Sequence, residues 1–174
     1  MTRTAIICCA ILLALPAAPA QSATPAAMID DALGAAPAAV AAGATVMAGD
    51  GKILRQGTNG WTCMPDDPST PGPDPMCVDK NGLAWAMAMM GHKAPPAGAI
   101  GMAYMLKGGS DSSNTDPYAK GSVGHWITTG PHVMILSADA ARVSGYPGGE
   151  HPDTAKPSVM FEGTPYAHIM LPVK

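Results

Sequence analysis

Apolar positions along this chain fall into short alternating runs separated by Gly and Pro, with only one stretch long enough for a helix of several turns. Ala44 to Ala48 and Lys52 to Arg55 flank Asp50-Gly51, which predicts a β-hairpin. Leu83 to Met90 predicts the principal helix, with Asp79 as its N-cap and Gly91 as its stop. The run Ala99 to Leu106 reads as a strand with Ile100, Met102, Tyr104 and Leu106 on one face, and His132 to Leu136 as another. Asp139 to Val143 suggests a helical turn, and Val159 to Phe161 with Ala167 to Leu171 a closing hairpin around Glu162-Gly-Thr-Pro165. No repeat at solenoid periods is present. The expectation is an α+β domain: a small antiparallel sheet of about five or six strands, one principal helix packed on it, and long Gly/Pro-rich loops.

Composition sharpens this picture. Among 174 residues there are 20 Gly and 18 Pro, which suits a folded, loop-rich chain better than a helical bundle. A net charge of −3 without any basic run argues against nucleic acid as a partner. Arg3, then the apolar run Ala5 to Leu15, then Pro16 and Ala18-Pro-Ala20, have the layout of a signal peptide over residues 1–20. The expected mature chain therefore starts near Gln21 and is periplasmic or secreted. No later run approaches a transmembrane span. Residues 21–43 are Ala- and Pro-rich and read as a loosely held N-terminal arm, with 44–174 as a single domain.

Removal of the leader leaves two cysteines, Cys63 and Cys77, in a compartment that permits oxidation. They bracket a segment with five prolines and no apolar periodicity, which cannot offset its ordering entropy by burial, so a disulfide is expected. The rival reading makes Cys63-Met64 and Met76-Cys77 a soft metal site, which requires reduced thiols.

The chemistry-bearing recurrence is His132-Val-Met134 in one predicted strand and His168-Ile-Met170 in another. Alternation places His and Met of each pair on one face, so two adjacent strands could assemble a four-donor set. Imidazole with thioether favours copper, and neither donor depends on a free thiol. Met90-Gly-His92 could add a further pair. The competing reading treats these residues as core, since the chain has 13 Met and uses them as filler. The His-x-Met unit resembles part of the copper-binding pattern of small periplasmic copper chaperones. The resemblance is confined to these tripeptides, and the spacing between the two pairs departs from the chaperone pattern.

The polar segment from Lys107 to Trp126 is the second candidate, with Asp111, Asn114, Asp116, Tyr118, His125 and Trp126 as its ligand-facing residues. Asp111, Ser113 and Thr115 have the spacing that opens a calcium loop. Asp116 stands where that loop needs Gly, and Ser122 where it needs a bidentate Glu, so the EF-hand reading fails. No Gly-x-Ser-x-Gly elbow or phosphate-binding loop is present, and Ser110, Asp111 and His125 form only an arithmetical triad. Gly57 to Asp66, Gly108 to Tyr118, Gly130 to Met134 and Gly163 to Met170 resemble segments of an uncharacterised group of small exported bacterial proteins, a likeness that implies export and no particular activity. Two functions stay open: a copper-binding protein using His132, Met134, His168 and Met170, or a metal-free structural or interaction module, taking a small molecule or protein at the 107–126 loop. An enzymatic role stays open as a third class, without a motif to support it.

Overall fold

A computed structural model describes residues 23–121 and 126–173. The leader assigned to 1–20 and His125 lie outside the described residues. In chain order the elements are α1 (Pro25–Leu33), α2 (Ala38–Ala41), β1 (Thr45–Met47), β2 (Ile53–Arg55), β3 (Thr62–Met64), β4 (Met76–Val78), α3 (Lys80–Met90), β5 (Gly101–Met105), β6 (Gly109–Asp111), β7 (Ile127–Thr129), β8 (His132–Leu136), α4 (Ala138–Val143), β9 (Ser158–Met160) and β10 (His168–Pro172).

Eight strands form one sheet in the order β2-β1-β3-β4-β5-β8-β10-β9, and β6 pairs with β7 in a second. The main sheet is larger than the five or six strands expected from sequence. The added strands, β3 and β4, are three residues each, too short to register as a periodicity; partner strands define them. The sheet is also mixed, because β1 runs parallel to β3. The intervening chain turns back at Gly57, where a Cβ would lie 2.2 Å from the backbone of Ala44 and Thr45, so no larger residue fits.

Helix α3 forms where the sequence places it. The Asp79 carboxylate accepts from the Gly82 N–H at 2.7 Å, and the Gly91 N–H closes the last turn on the Met87 carbonyl. The helix sits unusually low on the sheet: a Cβ on Gly101 would lie 2.5 Å from the Gly82 backbone. Two glycines face to face thus let Trp85, Ala86 and Met89 reach the sheet surface. Strand β5 buries Gly101 and Ala103, not the expected Ile100, Met102, Tyr104 and Leu106 set. Ile100 is 55 % exposed. The small residues are the ones that admit the helix.

Residues 25–41 do not form a loose arm. Thr24 caps α1, and Ala32, Ala35 and Ala36 pack against Val46, Cys63 and Cys77. Side chains this small carry little apolar stripe but allow close approach to a sheet. Asp31 adds two polar ties, accepting from the Asp66 N–H at 2.7 Å and pairing with Lys107 at 2.8 Å. Cys63 and Cys77 are directly opposite on β3 and β4, with their sulfurs 2.01 Å apart, bonding distance for a disulfide. On the same face α4 covers Val159, Ala167 and Ile169. The result is three layers, with α3 on one face of the sheet and α1 and α4 on the other. No helix among the described residues is long and apolar enough to cross a membrane.

Candidate functional site

Strands β8 and β10 are antiparallel neighbours, and their register pairs Met134 with Met170 and His132 with Pro172. The alternation that puts His132, Met134, His168 and Met170 on one face therefore brings all four to one surface, beneath α3. They line a cavity of about 220 Å³ together with Met76, Met89, Met105, Met160, Trp85 and Phe161. Six of the chain's methionines thus surround it. The antiparallel register puts the methionines centrally and the two histidines toward opposite ends of the shared face.

Both rings are held in the same tautomer. His132 Nδ1 lies 2.7 Å from the Gly130 carbonyl and His168 Nδ1 lies 3.0 Å from that of Tyr166. A carbonyl only accepts, so each Nδ1 donates and each neutral ring carries its lone pair on Nε2. Burial holds His132 below the usual imidazole range, against the opposing pull of the Gly130 carbonyl. Burial drives His168 down to about 4, opposed by the Tyr166 carbonyl and reinforced by the charge of His132. His168 is neutral at physiological pH.

The two ends differ in their neighbours. His168 is enclosed by aromatic rings, with Trp85 edge-on at 5.2 Å and Phe161 at 5.4 Å. His132 is 1 % exposed, and its Nε2 is buried without a hydrogen-bond partner. Met105 is its direct cross-strand neighbour on β5. The Met105 thioether and the His132 ring converge on one spot: a Cβ built on Gly109 would lie 3.7 Å from Met105 Sδ and 3.5 Å from His132 Cε1. An unpaired imidazole lone pair beside thioether sulfur suits a soft, nearly naked cation. Among the described residues no three His, Cys, Asp or Glu side chains cluster as a metal site, so a metal held here is held chiefly by sulfur.

The 107–126 residues divide. Asp111 joins the cavity wall with Pro117, and burial pushes its carboxyl up to about 6, with Asp74 adding repulsion. Asn114 is a structural latch: it is 1 % exposed, its side-chain amide nitrogen donates to the carbonyls of Gly149 and Val159, and its backbone carbonyl accepts from the Phe161 N–H. Asp116 accepts from the Tyr118 N–H at 2.8 Å and is exposed. Tyr118 leaves the loop for the end of α3, where its ring stacks on His92 at 4.0 Å. Trp126 opens onto a separate surface groove with His151 and Pro152. The described members of this set do not form one ligand surface.

Sequence reasoning missed Met76, Met89, Met105 and Met160 as wall residues. The usable signal was in β5, where Gly101, Ala103 and Met105 alternate with the larger side chains; a small-small-Met face is what an overlying helix and a cavity require. Comparison of the chain with protein-family models, curated proteins and solved structures gives no match.

Proposed function

We propose that this chain is an exported protein that binds one Cu(I) ion, through His132 Nε2 and the thioethers of Met105, Met134 and Met170, with His168 forming the far wall. The observation that carries the reading is the buried, unpartnered Nε2 of His132 beside the Met105 thioether. A buried polar atom without a partner costs about 1–3 kcal/mol, and a metal bond would remove that cost. Thioether sulfur selects Cu(I) over Ca²⁺ and Mg²⁺, and neither donor type must lose a proton to bind. The Gly130 carbonyl would act as the outer partner that orients the ring. Cu(I) would supply charge and soft-donor affinity; the chain supplies a dry cavity and a fixed tautomer.

The test is a thermal melt of the disulfide-intact protein with and without one equivalent of Cu(I), under a reductant too mild to open the disulfide, alongside competition with a chromophoric Cu(I) chelator. A ligand at 100 times its Kd adds about 2.7 kcal/mol, which reads as an upward shift of several degrees. His132→Gln is expected to abolish the shift, whereas His168→Gln retains it. Met134→Leu with Met170→Leu conserves volume and weakens binding while leaving the fold intact. An unchanged midpoint in the wild type overturns the Cu(I) reading and turns attention to the 107–126 loop as the surface of a metal-free module.

A further inference from the structure

Met89 and Pro117 stand between the inner cavity and the outer surface. Both residues line the inner cavity, and both also line a groove on the outer surface together with Met90, His92, Tyr118 and Lys120. The outer groove carries its own soft donors. Met90 is 60 % exposed, and His92 is exposed just beyond α3.

His92 is unusual in its backbone as well as its position. Its φ of 53° is one of only two positive values at non-glycine residues among those described, a conformation that costs energy unless the surroundings hold it. The helix end holds it, with the His92 N–H on the Met89 carbonyl and the Lys93 N–H on the Ala88 carbonyl; Tyr118 packs over it, its ring stacked on the imidazole at 4.0 Å and its hydroxyl donating to the Met89 carbonyl at 3.3 Å. Met90 ends the 11-residue α3 and His92 lies just past its cap, where the partial negative charge of the helix end favours a cation.

We infer that Met90 and His92 form an outer receiving site for Cu(I), from which the ion passes inward beside Met89 to His132. The inference rests on the Cu(I) reading above. The passage is ligand exchange: bonds from copper to the incoming chelator break as bonds to Met90 Sδ and a His92 ring nitrogen form, and these break in turn as the inner donors bind. Copper stays Cu(I) throughout, no electron moves, and the displaced chelator leaves with its own charge. Lys120 at the lip suits an anionic chelate as the arriving species.

The experiment follows transfer from the anionic Cu(I) complex of bicinchoninate by stopped-flow absorbance, in the wild type and in a Met90→Leu, His92→Asn variant. Asparagine tolerates positive φ, so the turn survives. Transfer is expected to slow about tenfold, while the final stoichiometry of one ion per chain and the melting shift on loading stay at wild-type values. Equal rates with full loading in both proteins overturn the receiving site and leave the inner site standing. Failure of the wild type to take copper overturns the reading on which it rests.

Discussion

Asp111 and His168 face the same cavity with opposite titration behaviour. Folding raises the Asp111 pKa from 3.8 to about 6, so between those values the unfolded chain has lost a proton that the folded chain keeps, and stability falls as pH rises. Folding lowers the His168 pKa from 6.5 to about 4, so over nearly the same window the unfolded chain holds the extra proton, and stability rises with pH. Each shift corresponds to roughly 3 kcal/mol. The two contributions oppose each other in the wild type, and His132, also lowered by burial, adds to the rising side. Asp111→Asn is expected to leave the His168 slope exposed, with chemical denaturation midpoints climbing with pH; His168→Gln leaves the Asp111 slope, with midpoints falling. Slopes of the same sign in the two variants would contradict this assignment. The His-x-Met pairs were legible because a period of two needs only adjacent letters. The orphaned Nε2 and the carbonyls that fix each ring were not, because both follow from tertiary burial.

At the scale of elements, the contact between Gly82 and Gly101 decides how far Trp85 and Met89 descend onto the sheet. Gly101→Ala places a methyl group against helix backbone, not against a flexible side chain, so the helix must rise. The expected loss is about 1–3 kcal/mol by urea denaturation, accompanied by weaker Cu(I) competition because Met89 retreats. Removal of the α3 cap by Asp79→Ala is expected to cost about 1 kcal/mol with no comparable change in the cavity. The helix, its cap and its stop were readable from Asp79, Gly91 and the apolar run between them. Strands β3, β4, β6 and β7 were not, since three residues cannot show a pattern and their pairing is set by partners far away in sequence. The 25–41 segment was misread for a related reason: alanine is a poor signal of burial in a sequence, yet Ala32 and Ala35 are fully enclosed.

Across the whole molecule, the disulfide and the cavity occupy different faces of the sheet. Cys63 and Cys77 belong to the cluster under α1, whereas Met76, the residue before Cys77 on β4, faces α3. Closing a loop of this length contributes about 3 kcal/mol by restricting the unfolded chain. Cys63→Ala with Cys77→Ala is therefore expected to lower the unfolding free energy by about 3 kcal/mol in urea denaturation while Cu(I) stoichiometry persists; loss of binding together with a retained fold would show that the two faces are coupled. The sheet order has one more consequence. β10 is the last described element along the chain, yet it lies between β8 and β9 and carries His168 and Met170. While the polypeptide is still emerging from a ribosome or a translocation channel, β9 has no neighbour to pair with and the methionine face of β8 lacks half of its wall. The β10 side of the cavity, with His168 and Met170, is therefore closed only when residues 168–172 arrive, after every other strand of the main sheet has been made.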